Sequence, residues 1–247
     1  QVRAAVRHAD IVFLAFLGAG ILAAVAFFTR VVPLPRLIVT HPELVYGLFF
    51  GLIVASILVL LAELEDYSPR DLVPLVLGAA AGLAVANLVP VDTPDAAWFV
   101  FLAGALAISA MILPGISGSF ILLVLHKYAY VFDAIGHFRL EVLIPFALGA
   151  AAGLLAFSRL LVWLLHHHYR STLLAISGIL VGSLWMIWPF QERIYEVVRD
   201  KPRLISTTPV LPDPAAGATW GSLALFVAGV ALVLAIHRLA RTHPTPH

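Results

Sequence analysis

Apolar residues fall in long blocks, and charged residues and prolines mark their edges. The blocks lie near 11–28, 44–62, 72–89, 98–125, 142–165, 172–189 and 219–236. Most match the roughly 20 residues that an α-helix needs to span the roughly 30 Å hydrocarbon core of a bilayer. The pattern predicts an all-α, polytopic integral membrane protein with about seven apolar segments. Segment 98–125 is the exception. It carries no charge from Trp98 to Leu125, and about 28 residues would make a helix of about 42 Å. Pro114 lacks an N–H, and Gly115 and Gly118 lack a side chain. A broken or re-entrant helix is therefore predicted within SAMILPGISGSF, Ser109 to Phe120. Non-helical backbone at membrane depth is tolerated only where protein buries it or it lines a watery cavity. That makes the break the first place to look for function.

The blocks also repeat. IVFLAFLGAGILAAVAFFTR (Ile11 to Arg30) lies on VLIPFALGAAAGLLAFSRL (Val142 to Leu160), placing Gly18 over Gly149 and, after a shift, Arg30 over Arg159. FGLIVAS (Phe50 to Ser56) lies on SGILVGS (Ser177 to Ser183). The expectation is one membrane domain, 1–247, with repeat A over about 10–97 and repeat B over about 98–190. An extramembrane loop follows over 190–218, carrying Arg193, Arg199, Lys201 and Arg203, and then a last transmembrane helix over 219–240. The bland alternative is that helices rich in Gly and Ala resemble one another by composition. If the broken segment returns as a hairpin, the copies are inverted; if it crosses, they are parallel. The inverted arrangement is favoured, and such repeats place a transporter's site near the midplane. The lysines and arginines do not fix the orientation.

Composition excludes other classes. With 62% hydrophobic and 12% charged residues and a mean hydropathy of +1.00, this is no ordinary soluble domain. A net charge of +1 without a basic cluster gives no footprint for nucleic acid. Cysteine is absent, which removes disulfides and thiolate metal sites. Arg3 and Arg7 before Ile11 to Phe28 superficially suggest a signal peptide, but no small-residue cleavage site is evident and a true transmembrane helix is expected. Gln1 rather than Met opens the chain, which leaves room for residues upstream.

The candidate site is Pro114, Gly115, Ile116, Ser117, Gly118 and Ser119. Pro114 suits the first turn of a new helix, and the N–H groups of Ile116 to Ser119 with the two hydroxyls would converge on one spot. Free amides at a helix N-terminus make an anion site suited to phosphate. The structural alternative is a kinked, packed helix with serines bonded back to carbonyls. Arg30 and Arg159 could reach a phosphate from the side, with snorkelling to headgroups as the blander role. Ser109, Ser56, Ser183 and Asn87 are pathway candidates, with packing as their alternative. His166, His167 and His168 do not share a helical face, so no metal is expected.

MILPGISGSFILLVLHKYAYVFDAI (Met111 to Ile135), with the helix from Val142 and SGILVGS after it, resembles the polyprenyl-phosphate (undecaprenyl-phosphate) transporter family of bacteria and archaea. The resemblance implies a flippase that moves a polyprenyl phosphate, such as undecaprenyl phosphate, across the cytoplasmic membrane so that the carrier lipid is recycled for envelope synthesis. Family members also carry an earlier Pro-Gly-Val-Ser-Gly-Gly-Thr motif, which would stand upstream of Gln1; a homodimer is the other way to supply a pair. They tend to have Gly where His126 stands, and an interfacial substitution without effect is the reading taken here.

The expected partners are therefore a polyprenyl-phosphate lipid and the membrane. No cofactor and no catalytic residue are expected, and the sequence names no coupling ion. An alternative from another class is an integral-membrane undecaprenyl-diphosphate phosphatase. Such enzymes carry a Pro-Gly-x-Ser-Arg-Ser element and embedded glutamates, because hydrolysis needs a cation on the transferred group and a base for water. Here Gly118 stands in place of that arginine, and Glu63, Glu65, Asp66, Asp133 and Glu141 fall at span ends or in loops. A third reading is a structural membrane subunit whose glycines only pack helices.

Overall fold

A computed structural model describes residues 11–64, 66, 68–198 and 201–242. Arg3, Arg7, Glu65 and Arg199 lie outside the described residues. The helices are α1 (Ile11–Ala26), extended by a π-helical turn (Phe27–Val31), α2 (Leu34–Thr40), α3 (Pro42–Ala62), α4 (Leu72–Ala86, entered through the 3₁₀ turn Pro69–Asp71), α5 (Ala97–Ile112) and α6 (Gly118–Val124). They continue with α7 (Tyr128–Gly136), α8 (Leu140–His167), α9 (Tyr169–Ser183) and α10 (Gly217–Thr242). A helix thus stands in every apolar block. Four are long and apolar enough to cross a membrane, Pro42–Ala62, Pro69–Ala86, Leu140–His167 and Gly217–Leu239, or up to five if the bent pair α6 and α7 is one span. That is fewer than the seven segments expected, because α1 and α5 have 16 residues each and α9 has 15. At 1.5 Å per residue they reach only about 24 Å.

The segment expected as a loop over 190–218 holds an antiparallel hairpin of β1 (Gln191–Val198) and β2 (Lys201–Pro209), with a register irregularity between Ile194 and Tyr195. The fold is all-α as expected, and the hairpin modifies only the stretch expected as a loop. Its local cause is the density of β-branched and aromatic residues in RIYEVV and LISTT.

Two compact units make up the chain, one of residues 1–49 with 189–226 and one of residues 50–188 with 227–247. In the first unit α3 meets α10 at small residues: a Cβ on Gly47 would sit 2.7 Å from the Ser222 carbonyl oxygen, and one on Gly221 would sit 2.7 Å from Leu44.

The second unit is built on two parallel helix pairs. In one, Gly78 and Gly82 of α4 face Ala175 and Ile179 of α9, while Gly178 and Gly182 face Leu75 and Ala79. In the other, Gly104 of α5 faces Phe146 of α8, while Gly149 and Gly153 face Phe101 and Ala105. A Cβ at Gly149 would stand 1.9 Å from the Phe101 oxygen, so the backbones touch directly. Lipid offers no hydrophobic drive between helices, and such small-xxx-small faces supply van der Waals packing instead. Arg170 fastens the starts of α4 and α9, donating to Asp71 from Nε at 2.8 Å and from Nη2 to the Asp66 carbonyl at 2.7 Å.

The chain reverses at His168, so α9 returns towards the C-terminal end of α5, where Gly115 meets Ser183. Helices α4 and α9 approach that point from one side, and α5 and α6 from the other. The long α8 runs past both.

Candidate functional site

The uncharged run is broken at the predicted place. Helix α5 ends at Ile112 and α6 begins at Gly118. Between them Gly115 has φ +88°, and the Ile116 N–H donates to the Leu113 carbonyl at 3.4 Å. Pro followed by a left-handed Gly at the centre of such a turn is the type II pattern. Pro114 therefore precedes the new helix instead of starting it, which corrects the expectation; Ser117 is the N-cap residue. The turn sends the chain back along α5. Leu122 packs on Ala103 and Ala107, and a Cβ at Gly118 would lie 2.4 Å from the Ala107 oxygen.

The hairpin closes near its starting level. Val91 N–H donates to the Val124 carbonyl at 2.8 Å, and Thr93 Oγ1 to the Leu125 carbonyl at 2.5 Å. Segment 113–127 thus folds back along α5 as a helical hairpin.

At the break lies a cavity of about 80 Å³, enough for several waters or one small oxyanion. One wall is the end of α4 (Gly82, Val85, Ala86) and another is Gly115, Ile116, Ser117 and Phe120. Ser183 and Met186 complete it. Ser117 Oγ and Ser119 Oγ are 2.8 Å apart. Among the described residues the amides of Ser117, Gly118 and Ser119 make no backbone hydrogen bond, whereas Ile116 uses its own in the turn and leaves the expected donor set. No charged side chain lines the cavity. Helix α6 has seven residues, and α4, α5 and α9 present their C-terminal, partly negative ends. Attraction for an anion here comes from individual amides and hydroxyls more than from a macrodipole.

The other predicted residues divide clearly. Ser183 lines the cavity, although its hydroxyl donates back to the Leu180 carbonyl at 2.8 Å. Ser109 donates to Ala105, Ser56 to Leu52 and Asn87 Nδ2 to Leu83, each at 2.8 Å, and none of the three lines the cavity. Arg159 is exposed on α8, about two turns beyond the Gly153 contact with Ala105 and hence level with the end of α5. Arg30 is exposed in the π-helical turn of the other unit. His166 and His167 bond to carbonyls of their own helix.

One group went unnoticed in the sequence. Lys127 is 1% exposed; its Nζ donates to Asp95 at 2.7 Å and to the Thr93 carbonyl at 2.8 Å, and it lies over the rings of Phe99 and Tyr130. The available signal was its place, the first formal positive charge after the long uncharged run. Beside it His126 has φ +51° and meets Asp92 at 2.5 Å. A left-handed position favours glycine.

Comparison with known proteins agrees with this motif. The family model described as VCA0040-like, undecaprenyl phosphate translocase-like, matches residues 1–205. The chain belongs to this family. A member from Vibrio cholerae serotype O1, named polyprenyl-phosphate transporter, is 36% identical over 242 residues, covering 95% of this chain and 78% of that protein. A protein of the same name from Staphylococcus aureus is 40% identical over 95 residues, 36% of this chain and 34% of its own length. No solved structure matches. Within the family, this chain is a multi-pass membrane protein whose helical hairpin carries the PGISGS turn.

Proposed function

We propose that this protein is a flippase that carries a polyprenyl phosphate such as undecaprenyl phosphate across the cytoplasmic membrane, for reuse of the carrier lipid. The observation that carries the reading is the break at 113–117. There the unbonded amide and the hydroxyl of Ser117, the latter in contact with Ser119 Oγ just outside the lining, edge a cavity between opposed helix ends, inside an apolar run. The phosphate would bind the amides of Ser117 to Ser119 and the two hydroxyls, while the isoprenoid tail stays in lipid beside Phe120 and Met186. Arg159, level with the break, would approach from the side. Because the hairpin returns, the two copies of the repeat would be inverted, with segment 190–218 outside the bilayer.

The family membership and the names of the two relatives support transport of this lipid class over hydrolysis. The test is S117A/S119A in proteoliposomes loaded with fluorescent undecaprenyl phosphate. Loss of flipping with unchanged thermal unfolding supports the site. Unchanged flipping sinks it, and release of inorganic phosphate from undecaprenyl diphosphate by the unmodified protein would favour an enzyme.

A further inference from the structure

Helix α7 is not used by the transport reading, yet its surface is sorted into three sectors. At about 100° per residue, Tyr128, Phe132 and Ile135 share an arc of roughly 60°, and all three are exposed, Phe132 at 56% and Ile135 at 51%. Val131 and Ala134 are buried, Ala134 packing with Val100 and Val142 at the starts of α5 and α8. Asp133 and His137 point about 140–180° away from the apolar arc and are exposed. A helix in water has no use for a second apolar face, and one inside hydrocarbon has no place for the Asp133 and Arg139 ion pair. Only a helix lying in the plane of the bilayer surface needs one face for protein, one for acyl chains and one for water.

Two further observations agree. Helix α7 turns 106° from α6, as an in-plane helix must on leaving a hairpin that runs along the spans. Polar and aromatic groups also gather at this end. Asp92, Asp95, His126, Lys127 and Arg139 lie beside it, and Trp98 and Phe138 are exposed at 62% and 81%. That mixture is the composition of a headgroup boundary.

We propose that α7 is an interfacial helix whose Tyr128, Phe132 and Ile135 face inserts at the headgroup and acyl boundary of the bilayer. This sets the depth of the break. Ala134 is level with Val100, and Gly118 lies against Ala107 and the Met111 side chain; the stretch from Val100 to there amounts to about 10–16 Å, a third to a half of the roughly 30 Å core. The inference holds whatever headgroup binds there, and it is tested separately.

The chain has no cysteine, so nitroxide labels on F132C, I135C, D133C, H137C and M111C report without background. The labelled full-length chains are placed in liposomes of phosphatidylethanolamine and phosphatidylglycerol. Collision with oxygen should exceed collision with a water-soluble nickel chelate at 132 and 135, the order should reverse at 133 and 137, and 111 should give the largest oxygen excess. Because D133C removes an ion pair, H137C reads the same face independently. Nickel dominance at 132 and 135 would put α7 in water. Oxygen dominance at 133 and 137 would make α6 and α7 one broken span. Either result overturns the proposal.

Discussion

Gly115→Ala tests the turn at the site. Gly115 holds φ +88°, and a Cβ there would lie 2.9 Å from Ser183 Oγ and 3.3 Å from Ser183 Cβ. An L-residue in left-handed backbone costs about 1–2 kcal/mol. The close contact is with a side chain that rotates, and displacing it breaks the Ser183 bond to Leu180, worth about 1 kcal/mol. The sum is about 2–3 kcal/mol against the turn. The strain share alone lowers the population of the correct turn roughly 5- to 30-fold. Flipping of fluorescent undecaprenyl phosphate by G115A should fall by at least that factor, and thermal unfolding should begin earlier. Measured against S183A, where the hydroxyl and its bond are already gone, adding Gly115→Ala should cost only the strain share. A G115A protein as active and as stable as the unmodified chain would refute the turn. A double variant that matches S183A would refute the strain and leave only a clash.

Other variants probe the frame around the site. Gly78→Ala puts a Cβ 2.1 Å from the Ala175 carbonyl oxygen and should cost about 1–3 kcal/mol by prising α4 from α9. Gly18→Ala, with nothing within 4 Å, should be neutral or stabilise by up to about 1 kcal/mol; melting curves in detergent compare the two. Lys127→Met strips a buried cation from Asp95, which is itself 64% exposed, so the loss should be about 1–3 kcal/mol, below that of a fully buried pair. Thermal unfolding unchanged from the parent would mean that the pair does not hold the hairpin. His126→Gly relieves a φ of +51° and gives up an exposed contact with Asp92. It should melt at the same temperature or higher, whereas His126→Val should melt lower by the equivalent of about 1–2 kcal/mol.

The apolar blocks, the break at Pro114 and Gly115, and the family were legible in the chain because each rests on local chemistry. Length and hydropathy make a span, and proline followed by glycine makes a turn. What was misread depends on neighbours. Pro114 was placed inside the new helix because sequence shows which residues disfavour a helix, not whether a type II turn comes first. Ser56 and Ser109, pathway candidates with packing as the alternative, donate to carbonyls of their own helices, and only coordinates distinguish those two roles. The β1–β2 hairpin was hidden in a stretch judged by its charge and prolines.

By itself, the sequence determined that this protein lives in a membrane as helices, interrupted once in a stretch without charge. Tertiary structure decided that the interruption turns back along α5, that Gly82, Ala86 and Ser183 close a cavity beside it, and that Lys127 is buried against Thr93, Asp95 and the rings of Phe99 and Tyr130. The reason is physical. A turn is set by the torsions of a few adjacent residues, whereas a cavity or a buried ion pair exists only where distant segments meet. Here those meetings are fixed by glycines whose missing side chains let backbones touch.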